Sequence, residues 1–287
     1  MNTLLRLRRS LIALALSAVA ALPALAAQPL TIGLIPAEDS QAMIESSRQV
    51  LDSLQQQLGM PVKPFVATDY NGVIEALRSK KLDVAYLGPF SYVLANQVAD
   101  VEAFAVAVTK KTGQSSYKSV IIARKESGIA KTADLKGRSF AFVDPTSASG
   151  HLFPKSGLLQ AGYDPETFFG RVIFSGSHDA SILAVANKKV DAAAVADRIL
   201  ASAIAKGQVK QDELEIVWSS TPIPESPMVW RKDLDPALKA KIAKALANVK
   251  DRPGATRACS TASSPPPTRP TTSCATPPRC SSSTCGA

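Results

Sequence analysis

The stretch Asp144-Pro145-Thr146-Ser147-Ala148-Ser149-Gly150-His151 stands between an apolar run at residues 139–143 and a helix-like segment at residues 152–161. The run predicts a strand, so this serine loop lies where a strand ends and a helix begins. At such a junction the first backbone N–H groups lack intrahelical partners, and the positive end of the helix dipole lies behind them. Ser147 and Ser149 add hydroxyl donors, and the glycine permits close approach. The loop therefore predicts an anion-binding site or, alternatively, an ordinary helix N-cap.

Strands and helices alternate on both sides of the serine loop. The strands are predicted at residues 30–36, 62–67, 82–87, 103–108, 117–123, 139–143, 171–175, 190–194, 214–218 and 228–231. The helices are predicted at residues 40–58, 73–77, 90–94, 152–161, 180–187, 199–205 and 235–249. Apolar strands separated by helices predict a parallel sheet covered on both faces. Ligands bind at the carboxyl ends of such strands, where Asp69-Tyr70, Gly88-Pro89 and the serine loop fall.

Two polar segments divide the α/β pattern. Residues 109–116 are predicted to cross from a first lobe to a second, and the proline-rich residues 219–227 to return. The prediction is a first lobe of residues 28–112 with 222–251, and a second lobe of residues 113–221.

Residues 1–27 have the three parts of a secretory signal peptide. Arginines near the start precede an apolar run over residues 11–22, and small residues up to Ala26 form a cleavage site. We therefore expect a soluble protein in the periplasm, since no later stretch reaches the roughly 18 apolar residues of a membrane span. An uncleaved anchor is the alternative, although the apolar run is short for a span.

The last part of the chain differs from the rest in composition. All four cysteines lie after residue 251, in a segment rich in Ser, Thr, Pro and Arg. Their spacing matches no metal pattern, and such a composition cannot bury a core. We interpret residues 252–287 as a low-complexity tail, either translated in a shifted reading frame or naturally disordered.

The net charge of +9 does not indicate a nucleic-acid partner. Three arginines lie within residues 1–27 and four lie after Asp251, and neither segment has acidic residues, so the body carries a net charge of +2. The lysines of the body alternate with acids, as on a solvated surface.

Three further side chains lie where they could complete an anion site. His178 follows a strand and precedes a helix, so its imidazole, neutral or charged, can donate to an anion held by the serines. Tyr70 lies at a strand end and Tyr117 at a lobe crossing, so both hydroxyls can face a cleft. The alternatives are a capping or surface role for His178 and partly buried core positions for the tyrosines. His151 is expected to pack within its helix.

Enzymatic chemistry has little support in the sequence. A triad of Ser149, His178 and Asp197 is possible on paper, but no G-x-S-x-G elbow occurs. No P-loop or dinucleotide-binding glycine motif occurs either. With two histidines and no cysteine before residue 252, we expect no metal site and no cofactor.

Six segments resemble the periplasmic phosphonate-binding proteins of ABC importers. They are LTIGLIPAED (30–39), DYNGVIEAL (69–77), LDVAYLGPFSYVLA (82–95), DPTSASGHLFP (144–154), GSHDASILAV (176–185) and IPESPMVWR (223–231). The chain is most similar to the phosphite-binding members. The resemblance implies a type II periplasmic-binding-protein fold, with two α/β lobes joined by a two-stranded hinge and the ligand in the cleft. It implies ligand-binding positions at Tyr70, Tyr117, Ser147, Ala148, Ser149 and His178.

Two positions depart from the family pattern. Ala148 stands where many relatives have threonine, so one hydroxyl is lost although the backbone N–H remains. Ser226 stands where an aminophosphonate binder has an aspartate for the ligand's amine. Removing one partner of a buried ion pair costs about 3–5 kcal/mol, so a ligand without an amine is favoured.

These observations together predict a non-enzymatic receptor outside the cytoplasm. It is expected to bind a small phosphorus oxyanion, namely phosphite, methylphosphonate or hypophosphite, and to deliver it to an ABC permease as a monomer. The alternatives are a receptor for another small anion, a secreted phosphatase-like hydrolase and a ligand-sensing domain of a regulator.

Overall fold

The computed structural model describes residues 28–106, 108, 113 and 115–249. The predicted signal peptide and tail lie outside the described residues, as do residues 109–112 of the predicted first crossing. Within the described part of the chain, no helix has the length and hydrophobicity needed to cross a bilayer.

The first half of the molecule is built on a mixed five-stranded sheet. Its strands are β1 (Leu30–Leu34), β2 (Val62–Val66), β3 (Val84–Tyr86), β4 (Val101–Val106) and β12 (Pro227–Arg231). They lie in the order β2-β1-β3-β12-β4. β1 is parallel to β2 and β3, whereas β12 is antiparallel to both of its neighbours.

Four helices cover this sheet. They are α1 (Ser40–Leu58), α2 (Tyr70–Arg78), α3 (Pro89–Val98) and α8 (Pro236–Ala247). The Asp39 carboxylate caps α1 by accepting the Ala42 N–H, and Gly59 ends this helix in the left-handed conformation. The helices α1 and α8 bury leucines such as Leu54 and Leu246 against one face of the sheet, and α2 buries Val73 on the other.

The second half is built on another mixed five-stranded sheet. Its strands are β6 (Ser119–Arg124), β7 (Ser139–Phe142), β8 (Arg171–Phe174), β9 (Ala192–Ala196) and β10 (Leu214–Ser219), in the order β10-β6-β9-β7-β8. Its helices are a π-turn (Ala148–Leu152) that continues as α4 (Phe153–Gln160), then α5 (Pro165–Phe168), α6 (His178–Ala186) and α7 (Asp197–Ala205). Short 3₁₀ turns occupy Lys125–Ser127, Thr132–Leu135 and Gln211–Glu213.

Two short strands connect the halves. β5 (Ser116–Tyr117) pairs antiparallel with β11 (Ile223–Pro224), so the outgoing and returning chains are hydrogen-bonded to each other. The Glu225 N–H also donates to the Ser115 carbonyl over 2.9 Å. This ladder is the predicted two-stranded hinge, whereas the residue bounds of the lobes stay a prediction.

One apolar cluster extends across both halves. It includes Val73 and Leu77 from α2 of the first half and Val143, Ile182 and Ile199 from the second, all nearly inaccessible to solvent. Burial of this kind contributes roughly 25 cal/mol per Å² of apolar surface. The two halves are therefore packed against each other in a closed arrangement.

The prediction of wholly parallel sheets is wrong. Neither sheet is wholly parallel, because β6 and β12, the strands that follow the two crossings, each run against their neighbours. The strands predicted at residues 103–108 and 117–123 contribute to different sheets, on either side of the crossing predicted between them.

Some element ends also differ from the predictions. The helices predicted to start at residues 73 and 180 begin at Tyr70 and His178, because Asp69 and Ser177 cap them with their side chains. The strand predicted at residues 190–194 is Ala192–Ala196, a run of alanine and valine without a polar residue to mark its end.

Candidate functional site

The serine loop is held by its own side chains. The Asp144 carboxylate accepts hydrogen bonds from the backbone N–H of Thr146 at 2.7 Å and from its hydroxyl at 2.8 Å. Ser147 caps the π-turn, since its Oγ accepts the Gly150 N–H at 3.0 Å. The N-cap interpretation of Ser147 is thus correct. It is compatible with anion binding, because the serine hydroxyl hydrogen remains free to donate.

The first turn after the loop presents backbone donors. Ala148 and Ser149 open the π-turn, so their N–H groups precede its first internal hydrogen bond. Both residues are buried, as is Ser147. The Ser149 carbonyl accepts a 2.6 Å hydrogen bond from the buried Ser119 hydroxyl, which ties this turn to β6.

Gly150 is required by packing within the second half. A Cβ atom at this position would lie 2.4 Å from Val143 Cβ and 2.8 Å from Ser147 Oγ. Real Cβ atoms do not approach so closely, so a larger residue would displace the loop. The glycine therefore lets the π-turn lie directly on β7, rather than serving only to admit a ligand. Pro154 lies in the first turn of α4, where a proline removes no intrahelical hydrogen bond.

Tyr70 lies in the first half, at the start of α2. Its side chain is 1% exposed, and its hydroxyl, which lies near that of Ser147, makes no hydrogen bond of good geometry in the described part of the chain. Burial and the nearby Asp144 carboxylate raise the pKa of Tyr70 well above its usual value, so the hydroxyl stays protonated. A buried donor is thus available beside the serine loop.

His178 begins α6 and is 4% exposed. Its Nδ1 accepts the Ala196 N–H at 3.1 Å, so the proton of the neutral ring is on Nε2. Burial lowers the pKa of His178 to about 3, and the Arg198 charge acts in the same direction. Of the two forms considered from the sequence, the structure favours the neutral imidazole with one N–H donor.

Tyr117 lies in β5 of the hinge and is buried. Burial raises its pKa to about 12, against the opposing effect of the Arg198 charge. The Arg198 guanidinium lies over the Tyr117 ring, 5.0 Å from its centroid. Tyr117 is therefore a neutral donor that sits between the serine turn and a cation.

Four hydrogen bonds join the halves around these residues. The backbone N–H of His178 donates to the Ala37 carbonyl at 2.9 Å, and the backbone N–H of Asp39 donates to the Asp179 carboxylate at 2.8 Å. The other two run from the Ser91 hydroxyl to the Thr146 carbonyl at 3.0 Å and from the Tyr70 N–H to the Asp144 carboxylate at 3.4 Å. The structure thus brings Tyr70 from one half together with the serine loop and His178 from the other.

The His151 ring packs against strands β7 and β8, whereas the sequence predicted packing within its own helix. It is half-buried, its ring contacts Phe142 and Phe174, and its Nδ1 bonds to the Pro145 carbonyl at 2.9 Å. In the described residues no group of three or more His, Cys, Asp or Glu side chains is placed to hold a metal.

Sequence reasoning missed two charged residues at this site. Arg198 contacts the Tyr117 ring, and Glu225, which is 6% exposed, lies 3.4 Å from Arg198 Nε. The available signals were the position of Arg198 directly after a strand and that of Glu225 within the returning hinge segment. Neither signal indicates that the side chains of Arg198 and Glu225 are in contact.

The architecture is that of the type II periplasmic binding proteins, with two α/β lobes closed over a buried polar interface. A family model described as "ABC transporter, phosphonate, periplasmic substrate-binding protein" matches residues 32–263. The chain belongs to this family, which confirms the resemblance and the fold class. The family consists of substrate-binding proteins, in agreement with the prediction that the chain is not an enzyme.

Three known proteins illustrate the similarity. The Phosphonates-binding periplasmic protein of Escherichia coli (strain K12) is 35% identical over 217 residues, which cover 74% of this chain and 64% of that protein. The Phosphate-import protein PhnD of Mycolicibacterium smegmatis is 33% identical over 224 residues, which cover 75% and 70%. The crystal structure of a binding protein component of an ABC phosphonate transporter from Pseudomonas aeruginosa matches with a TM-score of 0.72 and 34% identity, covering 76% and 73%. The chain thus spans less than two thirds of the length of the E. coli protein.

Proposed function

We propose that the chain is the extracytoplasmic solute-binding protein of an ABC importer. Its ligand would be a small phosphorus oxyanion without an amine, with phosphite favoured and methylphosphonate and hypophosphite as the other candidates. Membership of the phosphonate-binding family supports the class of ligand. The proposed ligand-binding positions are Tyr70, Tyr117, Ser147, Ala148, Ser149 and His178.

The buried hydroxyl of Tyr70 is the observation that carries this proposal. A buried donor without a partner costs about 1–3 kcal/mol, so its retention in the interior calls for an acceptor. An oxyanion between Tyr70 and the serine turn would accept from this hydroxyl, from the serine hydroxyls and from the imidazole. Within each half these donors are held by the fold before the ligand arrives, so ordering their side chains costs little on binding.

Closure of the two lobes would complete this set of donors. Tyr70 belongs to the first half, and the serine loop and His178 belong to the second, so all of them surround an anion only when the halves meet. We propose that the closed, loaded protein is a monomer that delivers its ligand to the permease from the periplasm. Residues 1–27 would direct export, with lobes at residues 28–112 with 222–251 and at residues 113–221.

Two physical arguments support the choice of ligand. The aspartate expected in an aminophosphonate binder is replaced by Ser226, which is 1% exposed and carries no charge for an ammonium. Phosphate could be rejected if the P–H or P–CH₃ bond faced a surface without donors, because phosphate would then bury an unpaired oxygen. Such an oxygen costs about 1–3 kcal/mol, or more if charged.

Calorimetry with the purified protein tests the proposal. Phosphite and methylphosphonate should bind tightly, and phosphate and 2-aminoethylphosphonate much more weakly. In Tyr70→Phe, affinity for the preferred ligand should fall about 10-fold or more, since a hydrogen bond to a charged group contributes about 1.5–3 kcal/mol. The unfolding free energy of the ligand-free variant should stay the same or rise, because the lost hydroxyl had no partner.

Tyr163→Phe serves as the matched control. Tyr163 stacks on Phe168 in the second half and packs in a different apolar cluster from Ala148 of the serine loop, so its variant should bind like the wild type. Preferential binding of 2-aminoethylphosphonate, or wild-type affinity in Tyr70→Phe, would contradict the proposal.

A further inference from the structure

Arg198 and Glu225 form a charged pair at the hinge side of the site. Arg198 is the second residue of α7, and Glu225 lies between β11 and β12. Arg198 Nε lies 3.4 Å from Glu225 Oε1, and Glu225 Oε2 accepts the Ser226 N–H at 3.1 Å. The Glu225 side chain is only 4% exposed, whereas that of Arg198 is 34% exposed. The carboxylate is therefore the buried member of the pair.

The pair reaches the proposed ligand positions through Tyr117. The Arg198 guanidinium lies 5.0 Å from the centroid of the Tyr117 ring. The Arg198 charge lowers the pKa of both His178 and Tyr117, and the Glu225 charge raises that of Tyr117. Both charges thus act on the groups that are proposed to hold the anion.

The contact between the Arg198 guanidinium and the Glu225 carboxylate lacks the geometry of a good hydrogen bond at Nε. Arg198 Nε is buried, yet it has no hydrogen-bond partner with good geometry in the described part of the chain. A buried carboxylate needs a cation nearby, because an unpaired buried charge is strongly unfavourable. At the hinge side of the site, the positive charge that Glu225 needs could come from a side chain of the protein or from an ammonium group of the ligand.

We propose that Arg198 takes the place beside Glu225 that the ammonium group of an aminophosphonate would otherwise fill, and so restricts the site to anions without an amine. This inference rests on the proposed function and adds a residue that determines its specificity. The guanidinium neutralises Glu225 permanently and repels a second cation. With Glu225 neutralised, the neutral donors Tyr117 and His178 can hold the oxyanion without an opposing negative charge beside them.

Replacement of Arg198 by methionine tests this inference. Methionine keeps an unbranched side chain of similar length and removes the charge, and the partial exposure of Arg198 means that the fold should tolerate it. In Arg198→Met, affinity for 2-aminoethylphosphonate should rise at least 10-fold, because Glu225 becomes available to its ammonium. Affinity for methylphosphonate should fall several-fold, so the ratio of the two affinities should change by more than 30-fold.

Two further variants identify the cause. In Arg198→Met with Glu225→Gln, the gain for the aminophosphonate should disappear, since its carboxylate partner is gone. Arg231→Met removes another partly buried arginine, whose side chain is 15% exposed and pairs with Asp83 at 3.0 Å in the first half, and it should leave the ratio unchanged. If Arg198→Met does not fold, Arg198→Gln gives the same measurement.

The outcomes separate this inference from the proposed function. A folded Arg198 variant that binds methylphosphonate with an unchanged affinity ratio would overturn the inference and leave the proposed function standing. A wild-type protein that binds no phosphite or phosphonate would overturn both.

Discussion

The two ends of the proposed site differ in their electrostatics. At the neutral end, Ser147, Ser149 and His178 are uncharged donors. The Ser147 and His178 side chains each accept a backbone N–H of the second half, and the Ser149 carbonyl accepts the Ser119 hydroxyl. At the charged end, Arg198 and Glu225 carry full charges that largely neutralise each other. We infer from this difference that the neutral donors bind the oxyanion, whereas the charged pair selects against ligands that also carry an ammonium group.

The largest effect on ligand affinity is expected when donors are removed from the neutral end. Ser147→Ala combined with Ser149→Ala should lower affinity roughly 100-fold or more, because two hydrogen bonds to a charged ligand contribute about 1.5–3 kcal/mol each. Calorimetry with phosphite or methylphosphonate measures this loss. Ser156→Ala, at a half-buried position of α4 where the hydroxyl accepts from Gln160, should bind like the wild type. An equal effect of both changes would show that the serine loop is not the anion site.

A pair of glycines separates the geometry of the neutral end from general stability. Gly150→Ala and Gly157→Ala both overpack, since the new Cβ would lie 2.4 Å from Val143 and 2.3 Å from the Trp218 ring, respectively. Each should lower the unfolding free energy by about 1–3 kcal/mol. Only Gly150→Ala should also weaken ligand binding, because it displaces the serine turn. Chemical denaturation and calorimetry on both variants provide the test.

The protonation of His178 offers a smaller, graded test. The pKa of the imidazole is about 3 in the folded protein and about 6.5 in an unfolded chain, so below pH 6.5 the unfolded state binds the extra proton. The unfolding free energy should therefore fall as the pH is lowered from about 6 to 4, with a contribution approaching about 1.4 kcal/mol per pH unit.

The variant His178→Asn isolates this contribution. Its unfolding free energy should depend less steeply on pH over the same range, and the difference between the two curves measures the imidazole. Parallel curves for the variant and the wild type would show that His178 is not held neutral in the interior.

The neutral end could be predicted from sequence because its residues follow strands. Tyr70, the serine loop and His178 each stand where a strand gives way to a helix, so chain order predicted that they lie at strand ends and can face a cleft. The return crossing also followed from the prolines of that segment. Local patterns therefore indicated an α/β protein and the candidate donors, whereas the type II architecture and its two-stranded hinge were implied by the resemblance.

The charged end and the strand directions could not be predicted in this way. Arg198 and Glu225 lie far apart in sequence, and their contact depends on how the return segment passes α7. The antiparallel directions of β6 and β12 depend on where each crossing enters its sheet. The residue pattern within a strand does not indicate that direction. Likewise, the close approach of Gly150 to Val143 is a property of tertiary packing.

The position of β12 between β3 and β4 has a consequence for the order in which the two sheets fold. β12 is the last strand of the described residues, yet it fills the gap between β3 and β4, which are synthesised before the second sheet begins. The second sheet is continuous from Ser119 to Ser219 and can form without waiting for distant segments. Refolding is therefore expected to begin in the second sheet. Until β12 arrives, the N-terminal strands expose unpaired backbone edges that invite aggregation.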